Sequence, residues 1–267
     1  MFEWNICRAE IRMNLRSYIT WTAIMLAVVF IYLGSYAWIE ELSFDELMEG
    51  YPDMFTTGLG ISPDAFGDVN RYWGSMLGFL GILISSIYAM MLAGGMISRD
   101  PDLGTVEFLY TRPVKRSNIM LSKAAVFVLF ITDLWLIVYI ASIAVGMLYA
   151  APGEFDPAVQ GWVHLAGYLA SLGAGGIAFA AAPFFDRVQS TTSLAIGLGL
   201  GFFMFNMVSN LVDALGFLKY LSIHHYADVQ GASAGEPFTV GLITLLGIFV
   251  AGTLIGVHFL NRKEFDA

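Results

Sequence analysis

The sequence predicts an all-α integral membrane protein with six transmembrane helices, and three observations predict it. Of the 267 residues, 57% are apolar and only 13% are charged, whereas a soluble domain carries roughly 25% charged residues. Apolar stretches of about 20 residues recur, which is the length that a helix needs to cross a hydrocarbon layer of ~30 Å. Their number excludes a signal peptide followed by a soluble domain, so residues 1–267 are expected to form a single transmembrane domain.

The apolar stretches set the order of the elements along the chain. We expect membrane spans at about residues 17–39, 72–97, 121–149, 161–184, 192–213 and 238–260. They leave two external loops at about 40–71 and 214–237, and a cytoplasmic loop at about 98–120.

The placement of Lys and Arg predicts the orientation in the membrane. With the N-terminus in the cytoplasm, only Arg71 and Lys219 of the 13 basic residues fall outside. This bias follows the positive-inside rule, and the opposite orientation would invert it. We therefore expect a multi-pass protein of the cell membrane with both termini in the cytoplasm.

Residues 1–16 are predicted to form a helix that lies in the cytoplasmic membrane interface. At 3.6 residues per turn, an apolar stripe along this helix is made of Phe2, Ile6, Ala9 and Met13. A basic stripe is made of Arg8, Arg12 and Arg16. The alternative is that these residues simply anchor the start of the first span.

Net charge and cysteine content narrow the classes of partner and chemistry. The net charge is −9, with many acidic residues in the loop at 40–71, and we expect no nucleic-acid partner. Cys7 is the single cysteine, so it forms neither an intrachain disulfide nor a thiolate metal site by itself.

The cytoplasmic loop carries an apolar run on a charged segment that faces water. Val106, Phe108, Leu109 and Tyr110 lie between the helix breakers Gly104 and Pro113. Thr105 is a candidate N-cap, so about two turns of helix are predicted between the two spans. A cluster of apolar side chains on a water-facing loop indicates a partner protein that covers it.

An ordered series of motifs follows in this loop: Gly104-Thr105, Glu107-Phe108-Leu109, Arg112-Pro113-Val114, Arg116 and Lys123. The series resembles the signature cytoplasmic loop of ABC-2-type transporter permeases, and the N-terminal helix and six spans resemble the layout of that family. One departure is the run Asp100-Pro101-Asp102, where many members have glutamates on a continuous helix.

The resemblance implies a non-catalytic permease subunit of an ABC exporter, whose ATP and Mg are bound by a separate ATPase subunit. No phosphate-binding loop occurs in this chain, since no lysine follows a glycine. Two ATPase copies and a second permease copy, most simply in a homodimer, are the implied partners besides the bilayer. The implied ATPase contacts are Gly104, Thr105, Glu107, Phe108, Leu109, Tyr110, Arg112, Pro113 and Arg116.

Few polar residues lie within the predicted spans. Asp133 lies ten residues beyond Lys123, about 15 Å into the membrane, and Asn206 and Asn210 lie one turn apart on the fifth span. These three residues are candidates for a transport pathway. The alternative for each is a hydrogen bond that packs one helix against another.

Two further motifs in the segment 214–237 are considered and set aside. Adjacent His224 and His225 diverge on a helix and have no further ligand nearby, so no metal site is predicted. The string Gly231 to Gly235 matches a nucleophile elbow in spacing, but Ser233 has no acid–base partner set, so no catalytic residue is predicted.

Composition favours an exporter of a hydrophobic or amphipathic substrate, and alternatives stay open. A permease-like subunit that transmits force or signal without moving cargo fits the same sequence. An ion-coupled secondary transporter generally needs more ionisable groups in the membrane than Asp133 alone, and an intramembrane hydrolase lacks a coherent set of residues.

Overall fold

The structure, a computed structural model, describes residues 3–36, 38, 57–58, 66–104, 115–235 and 238–263. Every regular element within these ranges is helical. The α-helices are α1 (Trp4–Val28), α2 (Val69–Met76), α3 (Ile82–Asp102), α4 (Arg116–Tyr149), α5 (Pro157–Ala181), α6 (Val188–Leu211), α7 (Ile223–Ala227), α8 (Val229–Ser233) and α9 (Thr239–Arg262).

Six continuous helical segments are long and apolar enough to cross a membrane. They are Trp4–Leu33, Val69–Asp102, Arg116–Tyr149, Pro157–Phe184, Val188–Leu211 and Thr239–Arg262. The predicted fold class, an all-α membrane protein with six spans, is confirmed.

The first helix is longer than the predicted span. It runs without a break from Trp4 through α1 and ends in a π-helical turn at Val29–Leu33. No glycine or proline occurs in this stretch, so nothing ends the helix near residue 16. Residues 4–16 are therefore the first part of one continuous helix, not a separate element. Its 30 residues extend ~45 Å, which exceeds the ~30 Å hydrocarbon layer.

The second span is built from α2 and α3, which a π-helical turn at Leu77–Gly81 joins. Its last turn contains Asp100, Pro101 and Asp102, the run that departs from the family pattern. The helix ends at Asp102, and Gly104, two residues later, has a φ of +63°, the left-handed conformation that favours glycine just after a helix. The segment that joins α3 to α4 therefore begins after Asp102.

Helix α5 lies at the centre of the bundle and packs against α9 and α3. In its most apolar stretch 72% of residues are buried, against 17% in α6. At the crossing with α9, the two backbones approach so closely that a Cβ atom at Gly252 would lie 2.1 Å from the carbonyl oxygen of Gly176. Small residues at a helix crossing allow this approach, which membrane helices use for association.

Substituting Gly252→Val should destabilise the fold, because the new side chain meets backbone that cannot move without separating α5 from α9. We expect a loss of roughly 1–3 kcal/mol, the usual cost of overpacking. The matched control is Gly247→Val on the same helix, where no described residue lies within 4 Å of an added Cβ atom. Thermal unfolding in detergent should separate the two variants, and equal melting temperatures would contradict the close crossing.

The segment after α6 folds into short helices that cover one end of the bundle. A 3₁₀ helix at Asp213–Leu221 leads into α7 and α8. Helix α8 packs on the second span, where Cβ atoms at Gly74 and Gly78 would lie 2.7 Å from Ser233 Cβ and 3.3 Å from Val229 Cβ. The spacing of Gly74 and Gly78 predicts such close contact, and the structure confirms it. The equally spaced Gly197 and Gly201 face open space within the described chain.

Candidate functional site

Most of the predicted ATPase contacts lie outside the described residues: Thr105, Glu107, Phe108, Leu109, Tyr110, Arg112 and Pro113. Gly104 and Arg116 are described, and they flank that part of the loop. The guanidinium of Arg116 donates to the carbonyl oxygens of Leu260 at 3.1 Å and Lys263 at 2.6 Å. Arg116 thus ties the start of α4 to the end of α9.

A buried charge cluster lies where the loop leaves α3 and enters α4. Its members are Glu10, Asn14, Arg99, Asp100 and Lys123. The ammonium of Lys123 is 2.7 Å from Asp100 Oδ2 and 3.0 Å from Glu10 Oε1, and it donates to the carbonyl oxygen of Met96 at 2.5 Å. The side chain of Lys123 is only 1% exposed, so these oxygens replace the water that an ammonium normally holds.

The remaining contacts of the charge cluster run through α1. Asn14 donates to Glu10 Oε2 at 3.0 Å and accepts from Arg99 at 2.9 Å, and Arg99 lies 3.6 Å from the same carboxylate. Two positive and two negative side chains balance one another. A buried ionic group is stable only when it is paired and hydrogen-bonded in this way. The charge cluster therefore fastens α1, α3 and α4 together beside the loop.

Sequence reasoning assigned Arg99 and Lys123 to the cytoplasmic loop but missed their partners on α1. The face of α1 that packs on the bundle contains Cys7, Glu10, Asn14 and Tyr18, whereas Met13, from the predicted apolar stripe, is 47% exposed. The available signal is that Glu10 and Asn14 lie four residues apart, so they share one helix face.

Asp133 is separate from the other two pathway candidates. It lies on the exposed face of α4, and its carboxylate accepts a hydrogen bond from the hydroxyl of Tyr18 on α1. This bond joins α1 to α4 a second time, farther from the loop than the charge cluster. A role for Asp133 in transport stays a prediction.

Asn206 and Asn210 are brought together in a polar cavity at the other end of the bundle. The cavity is also lined by Ser75, Gly78, Phe79, Phe203, His224, His225, Asp228 and Gln230, among others, and has a volume of about 170 Å³. The second span, α6, α7 and α8 therefore meet around one opening. The sequence presents Asn206–Asn210 and His224–His225 as separate features and does not indicate that they line the same cavity.

His224 lines the polar cavity and is largely buried, with 9% exposure. Ser222 Oγ donates its hydrogen to the carbonyl oxygen of Phe202 at 2.7 Å, so it can only accept from His224 Nδ1, 3.5 Å away. Nδ1 is then the protonated nitrogen and Nε2 the acceptor. Within the described residues, Nε2 has no hydrogen-bond partner.

Asp228 lies at the junction of α7 and α8 and is held in a defined position. Its φ of +35° is left-handed, which Asp tolerates better than most residues. Its carboxylate accepts from the backbone N–H of Gly231 at 3.1 Å. This turn places the acidic group among the residues that line the polar cavity.

Acidification should destabilise the wild-type protein more than a His224→Phe variant. Burial lowers the pKa of His224 from 6.5 to about 4. As the pH falls between these values, the unfolded chain binds a proton that the folded chain refuses, so the free energy of unfolding decreases with falling pH. The slope is at most about 1.4 kcal/mol per pH unit.

Thermal unfolding of both proteins at about pH 7.5, 6 and 4.5 measures this difference. The advantage of the wild type over His224→Phe should shrink toward the acid end. A difference between the two proteins that is independent of pH would contradict the burial of a neutral His224.

The described part of the chain holds no group of three His, Cys, Asp or Glu side chains with the geometry of a metal site. Ser233 Oγ donates to the carbonyl oxygen of Gln230 within α8. The hydroxyl thus acts locally in the last turn of a short helix.

Comparison with known proteins finds a matching family and a similar protein. Residues 4–262 match a family described as "ABC-2 family transporter protein", which covers nearly the whole chain. A protein of Bacillus subtilis (strain 168), YhcI, described as uncharacterized, is 23% identical over 203 residues. That alignment covers 68% of this chain and 65% of YhcI, slightly less than two thirds of the relative's length.

Proposed function

This chain belongs to the ABC-2 family of transporter proteins, and from this premise we propose that it is the permease subunit of an ATP-binding cassette exporter. A separate ATPase subunit binds and hydrolyses ATP with Mg. Two copies of that subunit act on two copies of this chain in the cell membrane, with both termini of each permease in the cytoplasm. The cargo is hydrophobic or amphipathic.

The observation that carries the proposal is the charge cluster beside the loop. Arg99 and Asp100 precede the loop, Lys123 follows it, and Glu10 and Asn14 join both sides to α1. Separating buried ion pairs costs several kcal/mol, because each ion would be left without its partner. A displacement of the loop by an ATPase subunit is therefore passed to α1, α3 and α4 together.

The exposed faces of α6 support pairing with a second copy. Only 17% of its most apolar stretch is buried, and among the described residues none lies within 4 Å of a Cβ atom added at Gly197 or Gly201. Small residues four apart allow another membrane helix to approach closely. In such a dimer, ATP-driven closing of the two ATPase subunits would tilt one bundle against the other.

The test is affinity purification of the tagged chain from native membranes in mild detergent. The purified material is then analysed by mass spectrometry and assayed for ATP hydrolysis. We expect a stoichiometric subunit with a Walker ATPase motif and ATP hydrolysis in the purified complex. Recovery of the chain alone, together with transport by it in liposomes without ATP, would overturn the proposal. That result would favour an ion-coupled carrier and make Asp133 the residue to test.

A further inference from the structure

We propose that the polar cavity binds one small, uncharged, polyhydroxylated group such as a single sugar ring, either as a free sugar or as the headgroup of a glycolipid. The inference concerns binding by this chain alone. It does not rest on the ATPase pairing proposed above, so either proposal can fail without the other.

The first step is the number of polar side chains that have no protein partner. Within the described residues, the side chains of Ser75, Asn206, Asn210 and Gln230 line the cavity and form no hydrogen bond with the protein. The acceptor nitrogen of His224, which is 9% exposed, is also unpaired. Leaving a buried acceptor without a partner is unfavourable, and a ligand that donates to Nε2 would offset that cost.

The second step is the chemistry of these groups. Amides and a serine hydroxyl each donate and accept, and a neutral imidazole accepts through Nε2. Hydroxyl groups have the same dual capacity, so several of them on one ring satisfy such a lining. No Lys or Arg is among the described residues that line the cavity, and Asp228 contributes a negative charge. The lining therefore disfavours phosphates and carboxylates.

The third step is size and shape. A volume of about 170 Å³ corresponds to roughly five or six water molecules. Sites for drug-sized ligands are larger, about 300–1,000 Å³. The rings of Phe79 and Phe203, with centroids 5.4 Å apart, form an apolar wall beside the polar groups. A sugar ring combines a hydroxyl edge with an apolar C–H face, which matches this arrangement.

The experiment uses the purified full-length chain and two ligand arms. Isothermal titration in detergent measures D-glucose, D-mannose, D-galactose and glucose 6-phosphate. In the second arm, native mass spectrometry measures retention of monoglucosyl diacylglycerol from nanodiscs. We expect at least one neutral sugar or the glycolipid to bind, and glucose 6-phosphate to bind more weakly than glucose. Binding in the first arm alone identifies a free sugar, and binding confined to the second identifies a lipid headgroup.

The variants locate the site. The pair His224→Phe and Asn210→Leu should weaken binding at least about tenfold. The control variants are His258→Phe and Asn261→Leu, at exposed residues on α9 away from the cavity. They should change the binding affinity less than about twofold. His224→Gln keeps an acceptor and should retain more binding than His224→Phe. Absence of binding in both arms, preference for glucose 6-phosphate, or equal binding by the cavity variants would overturn the inference.

Discussion

Replacing Lys123 with Met should lower the apparent melting temperature by roughly 10 °C and abolish the ATP-dependent function that we propose. The side chain of Met is about as long as that of Lys, so the substitution leaves no large cavity. Its main effect is to remove a positive charge. Glu10 and Asp100 would then stay buried with too little positive charge nearby, since Arg99 lies 3.6 Å from Glu10 and is 22% exposed. Breaking a buried pair in this way costs about 3–5 kcal/mol.

The matched control is Lys263→Met, which removes an ion pair of a different kind. Lys263, whose own side chain is 17% exposed, lies 2.5 Å from Asp186, whose side chain is 69% exposed, so water can replace the ammonium beside Asp186. Exposed pairs contribute about 0–1 kcal/mol, and the control should unfold close to the wild-type temperature. Equal effects of Lys123→Met and Lys263→Met would show that the charge cluster is not a buried, balanced unit.

A second variant tests the charge balance itself. Adding Asp100→Asn to Lys123→Met removes one of the two uncompensated carboxylates, so the double variant should recover part of the lost stability. Residues in one network show coupling of about 0.5–3 kcal/mol in such cycles. If the losses of stability in the two single variants simply add up in the double variant, Lys123 and Asp100 are not coupled and the proposed network is contradicted. Restored stability without restored ATP-dependent function would indicate that the charge cluster is needed for transmission as well as for folding.

The spans could be predicted from the sequence because the membrane imposes a length and a composition on each helix. The spans beginning at Val69 and Arg116 start several residues earlier than expected. In the second of these, polar residues such as Arg116 and Lys123 continue the helix beyond its apolar part. Hydropathy detects the apolar part alone, so it cannot give the full helix. The same reasoning explains why α1 continues through residue 16.

The charge cluster and the polar cavity could not be predicted because both depend on contacts between distant residues. Lys123 is separated by more than a hundred residues from Glu10, and their pairing follows from the packing of α1 on α4. Likewise, nothing in the sequence indicates that α7 folds back so that His224 lies beside Asn206. What the sequence does supply is the series of family motifs between the second and third spans, because those motifs are contiguous.

The double substitution Phe108→Asp with Leu109→Asp should abolish association with the ATPase subunit that we propose, while leaving membrane insertion intact. Both residues lie in the loop outside the described ranges, so this prediction rests on the sequence. Charged groups in the apolar centre of a protein interface lose their hydration without gaining partners. Co-purification of the tagged chain with its ATPase subunit measures the loss, and Phe217→Asp on the exposed 3₁₀ helix is the control.

Binding of the ATPase subunit and the passing on of its movement can be tested separately. The comparison is between this loop variant and a cluster variant that combines Lys123→Met with Asp100→Asn. If the loop binds the ATPase and the charge cluster passes on its movement, the loop variant loses the ATPase subunit but keeps its stability. The cluster variant keeps the ATPase subunit, and its ATP hydrolysis no longer drives transport. Normal co-purification of the loop variant would contradict the assigned contact. Loss of the ATPase subunit from the folded cluster variant would mean that the cluster shapes the docking surface itself.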